Sequence, residues 1–207
     1  MATTKPTFDA RTLPIFALRT VFFPGSILPL RVFEPRYMDM CKECLRDDRP
    51  FGVCSIVSGA EVGTPAEFAS IGTLATITSW DMEQLGILNI VCEGGQRFVV
   101  VEREVRKNGL AQAEVRLLDE EAPHIAGAPP QMLADLLEKL IEKLGQQQEW
   151  RFSETRDYAN ASWVSYRLAD ILPIKLSVKQ KLLEVNDSAV RLSVIAEFLR
   201  LQGIERR

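Results

Sequence analysis

The stretch AQAEVRLLDEEAPHIAGAPPQMLADLLEKLIEKL, residues 111–144, changes its hydrophobic period partway along, and that change sets the fold class. Ala111, Ala113, Val115 and Leu117 alternate with Gln112, Glu114 and Arg116. Successive side chains of a strand point to opposite faces, so this segment reads as a strand with one buried face. From Leu133 onward the apolar residues fall instead at Leu136, Leu137, Leu140, Ile141 and Leu144. That spacing lines one side of a 3.6-residue helix, and Gly145 is placed as its C-cap. Between the two lies Glu120 to Pro130, with Ala122-Pro123, Gly127 and Pro129-Pro130, which reads as a linker.

Upstream of the linker the chain reads as strands. Asn108-Gly109 is a strong hairpin signal, and before it Gln96 to Arg106 carries Val99, Val101 and Val105 on one face. Leu85 to Cys92 and the threonine- and isoleucine-rich run Ile71 to Trp80 are further extended stretches, and Gly59 to Pro65 is a loop. Phe51 to Val57 and Ile27 to Phe33 are strand-like, and Leu13 to Leu18, with its internal Pro14, suits an edge or first strand. Only Arg36 to Leu45 breaks the pattern, because Tyr37, Met40, Cys41, Cys44 and Leu45 share one helical face before Pro50. About six strands and one short helix predict a small closed or nearly closed barrel.

Downstream the pattern stays helical. A helix is expected from Asn160 to Ile171, ending before Pro173. Ser177 with Gln180 forms a capping-box pattern that opens the next one. A last helix follows Asp187 and carries Val190, Val194, Ile195, Phe198 and Leu199 towards Gly203. Strands followed by helices make an α+β chain. The expected division is a barrel over residues 1–119, a linker over 120–130 and a helical bundle over 131–207.

Composition narrows the function. The sequence has 207 residues, 46% hydrophobic and 26% charged, the balance of an ordinary globular protein. Its net charge is −3, and it contains no basic cluster of the kind that phosphate binding uses. Nucleic acid is therefore not an expected partner. No uncharged apolar run approaches the ~20 residues that span a bilayer, and Met1 to Leu13 has no apolar signal-peptide core. The expected setting is the cytoplasm, with no membrane partner. Four cysteines in a chain this long do not suggest a disulfide scaffold.

A set of motifs runs through both halves. It begins with Leu13-Pro14-Ile15-Phe16, Phe23-Pro24-Gly25 and the run from Leu28 through Phe33-Glu34-Pro35-Arg36-Tyr37. Ile71-Gly72-Thr73 and Gly94-Gly95-Gln96-Arg97-Phe98 follow. Trp163, Leu172-Pro173 and Lys179-Gln180-Lys181-Leu182-Leu183-Glu184 close the series. In this order the set resembles the N-terminal, substrate-recognition domain of Lon proteases, from about Leu13 to Leu201. The resemblance implies a PUA-like β-barrel joined to a helical bundle, and a role in recognising unfolded or damaged polypeptide. Lon proteases also carry an ATPase and a Ser–Lys protease module. No glycine here is followed by lysine, so the G-x-x-x-x-G-K-[ST] phosphate cradle is missing. The catalytic machinery of that family has nothing to map onto, and a stand-alone, non-catalytic form is expected.

Each candidate residue has a structural reading beside the functional one. Glu34 and Arg36, with Pro35 fixing the chain between them, could hold a ligand carboxylate; pairing at a strand-to-helix corner is the stronger reading. Cys41-x-x-Cys44 lies on the apolar side of a helix, which favours core packing over redox chemistry or zinc. His124 is the only histidine, and its place in the linker makes it a solvated residue rather than a catalytic base. The Leu133 to Leu144 stripe is read as core, with a homodimer surface as the alternative. Neither a metal nor a cofactor is expected. Phe22 and Phe23 beside the Pro24-Gly25 turn, Phe33, Tyr37 and Trp80 are the candidates for apolar contact with a client chain. The function expected is non-catalytic binding of unfolded polypeptide or of one dedicated protein partner, as in a quality-control adaptor. An RNA-binding PUA-like module is the alternative, and the acidic balance argues against it.

Overall fold

The computed structural model describes residues 12–120, 127–146 and 156–203. Strands come first: β1 Thr12–Leu18, β2 Ile27–Val32, β3 Phe51–Ser58, β4 Glu67–Phe68, β5 Ile71–Gln84, β6 Ile87–Val105 and β7 Ala111–Leu117. Helix α1, Pro35–Asp47, interrupts them after β2. Four helices follow: α2 Gln131–Gln146, α3 Ala161–Ile171, α4 Leu176–Glu184 and α5 Ser188–Leu201.

The strands form one mixed sheet in the order β1-β7-β6-β5-β3-β4, with β2 on β6. All its pairs are antiparallel except β1 with β3, where Ile15 to Leu18 run parallel to Gly52 to Ser55. That last pairing brings the order β1-β7-β6-β5-β3 back to β1. Strand β1 is therefore flanked on both sides: of the two expectations it is the first strand, and not an edge. Pro14 fits because the β3 side of β1 starts only at Ile15, one residue beyond the missing N–H.

Two expected strands, Leu85–Cys92 and Gln96–Arg106, join into β6, and the Ile71–Trp80 strand runs on to Gln84. The hairpin between β5 and β6 turns at Gly86, whose φ of 84° suits glycine. Gly94 stays inside β6 because a side chain there would run into the Phe23 carbonyl.

Three apolar clusters follow. Helix α1 lays Tyr37, Met40, Cys41 and Cys44 against Phe16, Phe51, Leu88, Ile90 and Cys92. Leu13, Ile15, Cys54, Phe68, Phe98 and Ala113 pack between the strands. Leu133, Leu137 and Ile141 of α2 join Val164, Leu168, Leu183 and Ile195, with Val21 and Phe23 reaching in from the strand half.

Helix starts follow the capping signals in two cases. Asn160 accepts from the N–H groups of Ser162 and Trp163 at 2.9 and 3.1 Å. Asp187 accepts from Ala189 and Val190 at 2.8 and 3.1 Å. The Ser177–Gln180 box does not form. Lys175 holds the N-cap of α4 with no side-chain cap bond, and Gln180 donates to the Ile71 carbonyl at 3.1 Å. Gly145 is no C-cap either, since α2 continues through it to Gln146.

Buried polar groups bind the strands to the helices. Arg97 donates to the Leu183 carbonyl at 2.8 Å and to Asn186 Oδ1, at the end of α4. Arg167 donates to the Pro24 carbonyl at 2.5 Å and to Ser26 Oγ at 2.9 Å. Ser26 donates in turn to Asp170 at 2.8 Å. Burial lowers the Arg167 pKa to about 10, so the group stays charged at neutral pH.

Candidate functional site

The aromatic residues expected on the surface divide into two groups. Phe22, Phe23 and Tyr37 are buried. Phe23 packs on Tyr166 with ring centroids 5.8 Å apart, and Tyr37 stacks on Phe16 at 4.0 Å. The Pro24-Gly25 turn is covered by the Arg167 guanidinium, which lies 3.6 Å from where a Gly25 Cβ would stand. These three residues plug the interior and leave no exposed ring surface for a client chain. Phe33 and Trp80 are 54% and 59% exposed. Trp80 sits opposite Ile90 in the β5–β6 ladder.

Glu34, Pro35 and Arg36 take their structural role. Pro35 occupies the first turn of α1, where a missing N–H costs nothing. Arg36 pairs with Glu34 at 3.0 Å, donates to the Gly109 carbonyl at 2.9 Å and lies over the Tyr37 ring. Cys41 and Cys44 are buried against β6, and burial pushes both thiols up to about 12. A neutral thiol is a poor nucleophile and a poor ligand. Among the described residues no cluster of three or more His, Cys, Asp or Glu could hold a metal ion. His124 lies outside the described residues.

A large open concavity lies elsewhere, between the strands and α4. It encloses about 930 Å³. Ile56 and Val57 of β3, Phe68 of β4, Ile71 and Val99 form its apolar side, and Leu176 and Gln180 of α4 face them. Val57 is 70% exposed, at a register shift between Ile56 and Ser58 where β3 pairs with the two-residue β4. Strand β4 ends the sheet order.

Polar groups edge this groove. Arg103 is held over the Phe68 ring, 4.6 Å from its centroid. Its Nη2 donates to the Phe68 carbonyl at 2.8 Å and to Ser70 Oγ at 3.2 Å. On the helix side Lys181 pairs with Glu184 at 2.7 Å. Glu67 lines the same groove, so Arg103 and Lys181 are matched by Glu67 and Glu184. Among the described residues no histidine or cysteine lines it. An apolar trough with balanced charges and a strand end along one side suits a segment of polypeptide better than a phosphate backbone. Sequence reading missed it because its lining comes from β3, β4, β5, β6 and α4, and β4 is too short to show a period.

The motif residues shared by both halves are mostly brackets. A Cβ at Gly72 would stand 2.5 Å from the Val53 carbonyl, and Thr73 donates to the Phe22 carbonyl at 2.5 Å. Arg97 and Gln180 join strand to helix, as above.

Comparison with known proteins agrees with this geometry. Residues 12–200 match the family model described as the ATP-dependent protease La (LON) substrate-binding domain. A solved Lon N-terminal domain protein from Xanthomonas campestris superposes with a TM-score of 0.73 at 31% identity, over 90% of this chain and 97% of that one. Lon protease of Xanthomonas oryzae is 25% identical over 217 aligned residues, 100% of this chain and 25% of that protein. Cereblon of Danio rerio is 36% identical over 114 residues, 52% of this chain and 25% of that protein. The chain thus spans about a quarter of the curated relatives it matches. With the match running through both the strands and the helices, the chain belongs to the LON substrate-binding domain family.

Proposed function

We propose that this chain binds segments of unfolded or damaged polypeptide without cleaving them, as a quality-control adaptor in the cytoplasm. The observation that carries the reading is the groove of about 930 Å³ between β3, β4 and α4. Burying apolar side chains there contributes roughly 25 cal/mol per Å². Strand β4, at the end of the sheet order, lies along the groove where an extended segment would pair. The family match supports substrate binding of this kind. Four buried free thiols suit a reducing compartment.

We read the returning strand order as a small PUA-like barrel and α2 to α5 as a bundle packed on it, the two subdomains being residues 1–119 and 131–207. Phe33 and Trp80 are the exposed aromatics that could extend the contact beyond the groove. The Leu133 to Leu144 stripe faces inward at Leu133, Leu137 and Ile141, which favours core over a homodimer surface.

The test is fluorescence anisotropy of labelled unfolded casein titrated with the purified protein. Saturable binding is expected, weakened by roughly tenfold or more in Val57→Glu, a loss of about 1.4 kcal/mol. Trp80→Ala should have the smaller effect. No binding up to roughly millimolar protein would end this reading.

A further inference from the structure

One buried polar atom of a residue that lines the groove is left without a hydrogen-bond partner among the described residues. Gln180 on α4 is 9% exposed and lines the groove. Its Nε2 donates to the Ile71 carbonyl and to Glu184 Oε1, both at 3.1 Å. Its Oε1 is buried and accepts no hydrogen bond among the described residues. Rotating the amide does not help. Both neighbours are acceptors, so only the NH2 side can face them. A buried acceptor without a donor is costly, and folded proteins retain few of them.

The sheet side of the groove carries the complementary chemistry. Stacking on Phe68 and two hydrogen bonds through Nη2 fix Arg103 in place. Its Nη1 and Nε are not used in those bonds. The lining therefore includes a helix residue with an unused acceptor and a strand residue with donors outside those bonds, with apolar side chains between them.

We propose that Gln180 Oε1 accepts a backbone N–H from an extended, apolar polypeptide segment lying in the groove, while Arg103 donates to a carbonyl of the same segment. Every residue of an extended chain carries both groups, so the pair holds a backbone without reading a sequence. The lining gives the preference for apolar side chains. Its balanced charges, Arg103 and Lys181 against Glu67 and Glu184, do not favour a nucleic acid. Because Oε1 is covered, docking includes a side-chain shift in the lining. The proposal rests on the reading that the groove takes polypeptide, and it names the atoms that hold the backbone.

The probe is a short fluorescein-labelled peptide of alternating valine and leucine with lysine at each end. Each amide is replaced in turn by an ester, which removes one N–H without adding bulk. The series is titrated against the wild-type protein, Gln180→Met and Val57→Glu, with melting curves to confirm folding. One ester position should weaken wild-type binding about tenfold. The same ester should change nothing in Gln180→Met, which has already lost that bond. A flat ester profile with wild-type protein overturns the proposal, whether or not Gln180→Met folds. If that flat profile comes with binding that Val57→Glu abolishes, the groove still takes polypeptide and only the role of Gln180 falls. If the wild-type protein binds no peptide, both fall.

Discussion

At Gly94 an added Cβ would press on the Phe23 carbonyl and come within 3.2 Å of the Phe22 ring. A backbone carbonyl cannot swing aside as a side chain can. Gly94→Ala is expected to cost about 2 kcal/mol, read as a lower Tm. Gly145 is the opposite case. Among the described residues nothing lies within 4 Å of its Cβ position, and it sits within α2. Gly145→Ala should raise stability by about 0.5–1 kcal/mol. The cysteines give a pH signature. Burial raises Cys41, Cys44 and Cys92 from an ordinary value of 9.0 to about 12. The folded state then keeps these protons after the unfolded chain has lost them. The associated stability is fully present below about pH 9 and falls as pH rises towards 12. Urea titrations across that window should show the loss, and replacing the three cysteines with alanine should shrink it, with buried Cys54 supplying the remainder. Thiol reagents should react slowly with the folded protein and rapidly once urea unfolds it.

Helices and strands differed in how far they could be read from sequence. The helices of the second half were legible because their apolar residues keep a 3.6-residue period and because Asn160 and Asp187 are strong N-caps. Replacing Asp187 with alanine should cost about 1 kcal/mol, measured by urea denaturation. The capping box at Ser177 misled because Gln180 has a better use against Ile71 than on its own helix. The strand half was legible as alternation, and the Asn108-Gly109 turn takes the expected left-handed glycine, with φ 81°. Leu85–Cys92 and Gln96–Arg106 read as separate strands because Gly94-Gly95 looks like punctuation; tertiary contact with Phe23 is what requires a glycine there. Phe22 and Phe23 precede a turn, so contact with a client stood beside the reading that they plug one end of the barrel; the fold buries both, with Phe23 against Tyr166. The groove was illegible for a similar reason. Two of its apolar contributors outside α4, Val57 and Phe68, lie in a loop-flanked strand end and a two-residue strand.

Across the whole molecule the two halves are joined more firmly than a linker suggests. Arg97, Arg167, Ser26 and Gln180 each cross from strand to helix, and Val21 and Phe23 sit in the helical core. The halves should unfold together, with equal calorimetric and van't Hoff enthalpies. Arg97→Met leaves the Leu183 carbonyl and Asn186 without their donor, at a cost of about 2–3 kcal/mol. The groove sits on that junction, between the sheet and α4, so its shape depends on both halves staying docked. Hydrogen exchange of the backbone amides, with and without saturating unfolded casein, tests this account most directly. Slower exchange confined to residues 55–71 and 176–184 is the result predicted for a client held between β3, β4 and α4. Protection only at the β5–β6 hairpin around Trp80, or none anywhere while casein is bound, would contradict it.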